Sequence, residues 1–181
     1  MMFFNFFKNS ARTLINGLVL GVAFMFPSFT ALAADQLLDD FKYSAEPTNI
    51  KQNLAHALME ENGAIVIDVR TKEEYDAGHI ENAYLVPLDE LNESTIAQHK
   101  DLKLLKEKDT PVLLYCRSGR RSGIVMNAMA KAGFKNVMNM GGVITWEYGL
   151  TTELPKKSFA EAVKAVTPYQ STNFLLKITS D

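Results

Sequence analysis

The sequence predicts an α/β domain built on a central parallel β-sheet with right-handed crossovers. Short apolar runs rich in β-branched residues, at residues 64–67 and 111–115, have the composition of strands that are covered on both faces. Segments with helical spacing separate these runs, so strands and helices alternate along the chain. The 181 residues, 47 % of them hydrophobic, suffice for one ordinary domain but leave little room for two.

The first half of the predicted domain is marked by two possible helix starts. Asn49 with Gln52 resembles a helix-start box, and Thr71 with Glu74 forms a second capping pair. An unbroken apolar run lies between them and indicates a buried strand. The predicted elements are a helix over residues 50–61, strands over residues 64–67 and 84–86, a short helix ending near residue 77, and a helix over residues 94–106.

The second half centres on a strand that is followed by a tight loop and a helix. Farther on, Ser158 and Glu161 form another capping box that begins an amphipathic helix, and Pro168 ends it. The predicted elements are strands over residues 111–115 and 136–140, helices over residues 122–131 and 144–148, the helix after Ser158, and a final strand or packed arm over residues 173–178.

Residues 1–33 are predicted to be a cleaved secretory signal peptide. Lys8 and Arg12 precede every acidic residue, a largely apolar stretch covers residues 14–26, and small alanines stand at positions 31 and 33. An uncleaved membrane anchor is the alternative, but the apolar run is shorter than the roughly 18 to 20 residues that an anchor needs. Cleavage would leave a periplasmic or secreted chain with 17 basic and 21 acidic side chains, a formal charge of −4.

Composition excludes several classes of protein. With 22 % charged residues, 6 Pro and 10 Gly, the chain is neither disordered nor fibrous, and its slightly acidic balance gives no nucleic-acid footprint. A single Cys excludes a disulfide framework and a zinc site of several thiolates, and no cofactor motif is present. We expect residues 34–48 to form a surface lead-in, residues 49–150 the domain, and residues 151–181 a C-terminal extension with one amphipathic helix.

The strongest sign of chemistry is the loop that begins at Cys116. A cysteine between a buried strand and a helix faces loop amides and the positive end of the helix. Arg117, Arg120 and Arg121 add positive charge beside it. These groups favour the thiolate over the thiol, so the sequence predicts a reactive nucleophile that attracts anions and that solvent can reach.

The plain alternative is that Cys116 is a small apolar core residue, as lone cysteines usually are. Three arginines and a glycine within five residues of it argue against that interpretation. A cysteine hydrolase assisted by histidine is also less attractive. His56, His79 and His99 lie in helix and turn patterns without a group that would orient a base, so we expect structural roles for them.

These motifs resemble those of a single-domain rhodanese, a thiosulfate sulfurtransferase. The resemblance extends from about residue 50 to residue 149. The upstream motifs and the cysteine loop together make a stronger match than either would alone. It implies a doubly wound parallel sheet with helices on both faces. The matching residues are Asp68-Val69-Arg70, Glu74-Tyr75, Gly78-His79-Ile80, Ala83, Pro87, the loop Cys116-Arg117-Ser118-Gly119-Arg120-Arg121-Ser122, Gly141-Gly142 and Trp146.

The resemblance implies that Cys116 takes the outer sulfur of thiosulfate, releases sulfite and passes the sulfur to cyanide or a thiol. The loop residues would bind the donor, with the amides of residues 117–121 holding the transferred sulfur and the guanidinium groups holding sulfite oxygens. The implied substrate-binding residues are Arg117, Ser118, Gly119, Arg120 and Arg121; the implied supporting residues are Asp68, Arg70, Glu74, His79 and Ser122. Gly141, Gly142 and Trp146 match positions that shape the pocket wall or serve packing.

Other readings of the same loop remain open. Phosphatases of this fold have five residues between the cysteine and an arginine, whereas here Ser122 occupies the sixth position after Cys116. An arsenate reductase or phosphatase is therefore less favoured than a sulfurtransferase. A non-catalytic sulfur carrier or interaction module is the alternative from another class. The expected partners are a small anionic sulfur donor and a thiol or cyanide acceptor, with neither nucleic acid nor membrane; the oligomeric state stays open.

Overall fold

A computed structural model describes residues 37–91 and 93–170, and these residues contain one five-stranded parallel sheet. The strand order is β1-β5-β4-β2-β3, and every pairing is parallel. The predicted signal peptide and the predicted strand over residues 173–178 lie outside the described residues. The strands are β1 (Thr48–Asn49), β2 (Ile65–Asp68), β3 (Tyr84–Leu85), β4 (Val112–Cys116) and β5 (Val137–Gly142).

Helices cover both faces of the sheet, which confirms the predicted α/β fold class. Successive strand residues enter opposite cores: Ile65 and Ile67 pack in one hydrophobic cluster, whereas Val66 packs in the other. The helices are α1 (Gln52–Glu60), α2 (Lys72–Asp76), α3 (Glu93–Ile96), α4 (Lys100–Lys108), α5 (Arg120–Lys131) and α6 (Phe159–Ala165), with 3₁₀ turns at Leu88–Glu90 and Val143–Thr145. None of the helices in the described ranges is long and apolar enough to cross a bilayer.

The first predicted helix start is wrong. Asn49 belongs to edge strand β1, which pairs with β5, and α1 begins after Lys51 without a side-chain cap. A strand of two residues has no periodicity, so the sequence pattern could not reveal it. The surface lead-in is also wrong in part, because Leu38 is 2 % exposed and Phe41 and Tyr43 pack against the core.

Three further boundaries differ from the predictions. The helix predicted over residues 94–106 is two helices, α3 and α4, and the helix predicted over residues 144–148 is a 3₁₀ turn followed by extended backbone at Trp146. Helix α5 begins at Arg120 rather than at Ser122. Only Arg117, Ser118 and Gly119 therefore connect the cysteine strand to its helix. The two capping boxes at Thr71 and Ser158 form as predicted.

The segment after residue 150 is part of the domain's packing. His79 and Thr151 form a two-bond antiparallel bridge with N···O distances of 2.8 Å, and the Tyr84 hydroxyl donates to the Lys157 carbonyl at 2.8 Å. Helix α6 buries Phe159, with Ala162 and Val163, in the same cluster as Ile65 and Ile67. Removing this segment would therefore expose core and not merely trim a tail.

We expect Phe159→Ala to lower the free energy of unfolding by about 3 kcal/mol, because it deletes a buried ring from the core. Urea denaturation followed by circular dichroism measures the change. Lys164→Ala, on the exposed side of the same helix, is the matched control and should stay within about 0.5 kcal/mol of the parent. Equal effects of the two variants would show that α6 does not support the core.

Candidate active site

The candidate site is built at the carboxyl end of β4, where the chain turns directly into α5. The β4–β5 pairing shifts between Leu114 and Cys116, and Cys116 then pairs with Gly142. Gly119 has φ of 91°, in the left-handed region that favours glycine, and it lets the chain turn abruptly into α5. Strand, bulge and turn together place the sulfur beneath the start of the helix.

The loop surrounds the Cys116 sulfur with hydrogen-bond donors. The Gly119 N–H donates to Sγ at 3.1 Å, and the Ser122 Oγ lies 3.6 Å from Sγ. Burial raises the pKa of the Cys116 thiol, but hydrogen bonds from the Ser122 amide and hydroxyl and from the Ser118 and Gly119 amides outweigh it and lower the pKa overall. The structure thus favours the thiolate chiefly through these hydrogen-bond donors, with the Arg121 guanidinium as a further charged neighbour of the sulfur.

The sulfur is enclosed, contrary to the expectation of a solvent-accessible thiolate. Cys116 is 1 % exposed, because the loop lies over it and against β5. A Cβ on Gly142 would stand 2.2 Å from the Arg117 carbonyl oxygen and 2.5 Å from the Ser118 Cα, so only glycine allows this approach. A reactant must therefore pass the loop to reach the sulfur, which favours small anions.

The three loop arginines differ in whether the guanidinium group is paired with a carboxylate. The Arg121 guanidinium binds both carboxylate oxygens of Glu74 on α2 at 2.6 Å, and this pairing lowers the pKa of Glu74 to about 2. Arg117 and Arg120 are exposed and form no ion pair within the described part of the chain. An incoming anion can engage these two guanidinium groups without breaking an existing pair.

Asp68 and Arg70 form a buried ion pair beside Tyr115. The Arg70 Nη2 donates to the Asp68 Oδ2 at 2.7 Å and to the Gly78 carbonyl at 2.7 Å. The guanidinium carbon of Arg70 lies 5.6 Å from the centre of the Tyr115 ring, and Tyr115 directly precedes Cys116. The pair is placed to brace the end of β4 from the neighbouring strand.

The histidines take no part in the sulfur's hydrogen bonds among the described residues. His79 is buried, stacks on Tyr75 at 3.7 Å, and has its two ring nitrogens 2.9 Å and 3.1 Å from the carbonyl oxygens of Tyr75 and Glu153. His56 stacks on Tyr148 at 3.8 Å, and His99 precedes α4. His79 therefore lies among packing contacts and not beside Cys116.

Sequence reasoning missed Asn139 and Gln52. Asn139 contacts Ser122 and the Gly119 carbonyl, and Gln52 donates to the Gly142 carbonyl at 2.9 Å. A polar residue between two methionines in a buried strand is an available signal for Asn139. Gln52 has no distinguishing signal in the sequence, because it follows Asn49 at the spacing of a helix-start box. Within residues 37–91 and 93–170, no group of three or more His, Cys, Asp and Glu side chains could hold a metal.

Comparison with known proteins identifies the class of this site. The family model described as "Rhodanese-like domain" matches residues 51–147, more than half of the chain. The chain therefore belongs to the rhodanese-like domain family. Membership supports sulfur transfer as the broad chemistry of the cysteine loop.

Curated relatives share this domain within longer proteins. A tRNA uridine(34) hydroxylase of Chlamydia felis is 33 % identical over 62 % of this chain and 35 % of its own length. Its namesake of Yersinia enterocolitica is 31 % identical over 71 % of this chain and 38 % of its own length. The chain thus spans little more than a third of the length of these relatives. The shared domain therefore does not establish their named activity for this chain.

Solved structures of single-domain proteins are also similar. A rhodanese-related protein of Thermoplasma volcanium is 25 % identical with a TM-score of 0.48, covering 59 % of this chain and 99 % of its own. A structure described as rhodanese with anions, from E. coli, is 29 % identical with a TM-score of 0.41, covering 50 % and 99 %.

We expect the pH profile of Cys116 alkylation by iodoacetamide to have a midpoint below the ordinary value of about 8.5, because the loop donors stabilise the thiolate. Mass spectrometry measures the rate, and Cys116→Ser gives the blank because the chain has one cysteine. Relative to a free thiol such as glutathione, Cys116 should be slowed more towards a bulky aromatic disulfide than towards iodoacetamide, since the sulfur is enclosed. A midpoint at or above 8.5 would contradict the thiolate assignment.

Proposed function

We propose that this protein is a sulfurtransferase that moves the outer sulfur of thiosulfate, or of a similar small anionic donor, to cyanide or a thiol. The observation that carries the proposal is the set of loop donors aimed at the Cys116 sulfur, led by the Gly119 N–H at 3.1 Å. They favour the thiolate and can stabilise negative charge that develops on the transferred sulfur. The family assignment supports the same chemistry.

The proposed reaction has two displacements at sulfur. The Cys116 thiolate attacks the outer sulfur of thiosulfate, a new S–S bond forms, and the S–S bond of the donor breaks so that sulfite leaves with the electron pair. The acceptor then attacks the outer sulfur of the persulfide, and the cysteine leaves as thiolate. No net oxidation or cofactor is required, because the acceptor takes the sulfur that the donor supplies.

The charges around the loop suit a small dianion. Arg117 and Arg120 offer exposed guanidinium groups, whereas Arg121 is occupied by Glu74. We therefore assign donor binding to Arg117 and Arg120 and a bracing role to the Arg121–Glu74 pair. The enclosed sulfur favours a donor that is small enough to enter through the loop.

A second candidate is a sulfur carrier that forms the persulfide but does not turn over. The 1 % exposure of Cys116 favours it, because an enclosed persulfide is shielded from free acceptors. A phosphatase or arsenate reductase remains a third alternative. The shorter loop, with Arg121 five residues after Cys116, speaks against it.

The test is a donor and acceptor screen on the purified chain. We expect thiosulfate to add one sulfur atom to the intact mass and cyanide to remove it as thiocyanate, with repeated turnover. Cys116→Ser should abolish both steps. Arg117→Ala with Arg120→Ala should lower kcat/KM for thiosulfate roughly tenfold or more, mainly through KM, because charged hydrogen-bond partners of the anion are lost.

Lys103→Ala is the matched control, since it removes an exposed positive charge on α4, and it should leave the kinetics unchanged. A persulfide without turnover would select the carrier. Hydrolysis of an aryl phosphate, or reduction of arsenate, without sulfur uptake would replace the proposal with the third alternative.

We further propose that the chain is exported to the periplasm or secreted. The charge and hydropathy pattern of residues 1–33 supports this proposal. Expression of the full chain in a bacterium followed by fractionation should recover it outside the cytosol, with a mature amino terminus at Ala34. Recovery of uncleaved protein in the membrane fraction would instead support the anchor.

A further inference from the structure

Asn139 on β5 connects the cysteine loop to edge strand β1. Its Nδ2 donates to the Asn49 Oδ1 at 2.8 Å and to the Gly119 carbonyl at 3.2 Å, and its Oδ1 accepts from the Gly141 N–H at 3.1 Å. The two backbone partners fix the orientation of the amide. The Gly141 N–H can only donate and the Gly119 carbonyl can only accept, so Oδ1 must face Gly141.

The hydroxyl of Ser122 has one proton and several acceptors within reach. Its Oγ lies 2.7 Å from the Asn139 Oδ1, 3.1 Å from the Gly119 carbonyl oxygen and 3.6 Å from the Cys116 sulfur. Because Oδ1 cannot donate, the contact of 2.7 Å requires Ser122 to donate to Asn139. While it does so, the same proton is not available to the sulfur.

We propose that Asn139 is a positioning residue that competes with the Cys116 sulfur for the hydroxyl proton of Ser122. When Cys116 carries its own proton, Ser122 donates to Asn139. When the thiol proton leaves to solvent, the hydroxyl rotates about its Cβ–Oγ bond and donates to the thiolate. The Asn139 Oδ1 keeps the Gly141 N–H throughout, so the exchange leaves no buried acceptor unpaired.

The buried setting makes this exchange effective. Ser122 is fully buried and Asn139 is 8 % exposed, so water does not readily replace either partner. Ser122 occupies the first turn of α5, and its position relative to Cys116 is fixed by the helix. Rotation of one hydroxyl is therefore sufficient to change the number of donors that face the sulfur.

The inference deepens the proposed function and rests on it, because it concerns the nucleophile that would take up sulfur. Its test measures ionisation of the thiol and does not require turnover. The charged groups nearest the loop are the Arg121–Glu74 pair and the exposed Arg117 and Arg120, and the Asp68–Arg70 pair lies beside Tyr115 at the end of β4. None of these groups is changed in the variants below.

Asn139→Ala should shift the alkylation profile of Cys116 to lower pH, because the Ser122 proton loses its best competing acceptor. At a fixed pH below the midpoint we expect the alkylation rate to increase roughly threefold, which corresponds to the free energy of a modest neutral hydrogen bond. Asn139→Asp should shift the profile in the opposite direction, because a charged acceptor holds the proton and repels the thiolate. Near-UV circular dichroism checks that each variant is folded.

Three further variants separate competition from a merely structural effect. Ser122→Ala should raise the midpoint, and adding Asn139→Ala in that background should cause no further shift, since there is no proton to compete for. Asn49→Ala removes a partner of Nδ2, leaves the Oδ1 contacts in place, and should leave the midpoint unchanged.

An unchanged or higher midpoint in Asn139→Ala would overturn the inference, as would an equal shift with and without the Ser122 hydroxyl. If the ionisation pattern is as expected but no sulfur is transferred, only the proposed function fails. If turnover is normal and Asn139 has no effect on ionisation, only this inference fails.

Discussion

Convergence of backbone and side-chain donors on the Cys116 sulfur is the interaction on which the candidate site depends. The donors come from a loop of only three residues between β4 and α5 and from the first turn of α5. The left-handed turn at Gly119 and the absence of a side chain at Gly142 make so short a loop possible. The packing of the loop against β5 and the placement of its donors around the sulfur therefore depend on each other.

The surroundings hold that loop from several directions. Glu74 at the start of α2 binds Arg121 in the first turn of α5, while the Asp68–Arg70 pair lies beside Tyr115. Asn139 reaches the loop from β5. Each of these contacts joins segments that are distant in sequence. Preorganised donors of this kind stabilise charge more effectively than mobile side chains, because no reorganisation is needed when the charge appears.

The same arrangement gives the loop two chemically different sides. Inside, amides and Ser122 surround an enclosed sulfur; outside, Arg117 and Arg120 present positive charge to solvent. A protein of acidic overall composition can thus attract an anion locally. The inner side favours ionisation of the cysteine, and the outer side carries the charge to which the proposed function assigns donor binding.

The sequence by itself determined the alternation of strands and helices, the capping boxes at Thr71 and Ser158, and Cys116 at the end of a buried strand, because these signals are local in the chain. Tertiary structure alone decided the edge strand at Asn49, the enclosure of the sulfur, and the partners of Arg121 and Ser122. Strand pairing and hydrogen bonding between distant segments depend on which residues the fold brings together, and no local pattern records that. The helix predicted at residues 144–148 is wrong for the same reason. Residues 143–145 form a 3₁₀ turn against the cysteine loop, where the Ile144 N–H donates to the Arg117 carbonyl, and the local helical spacing does not record that contact.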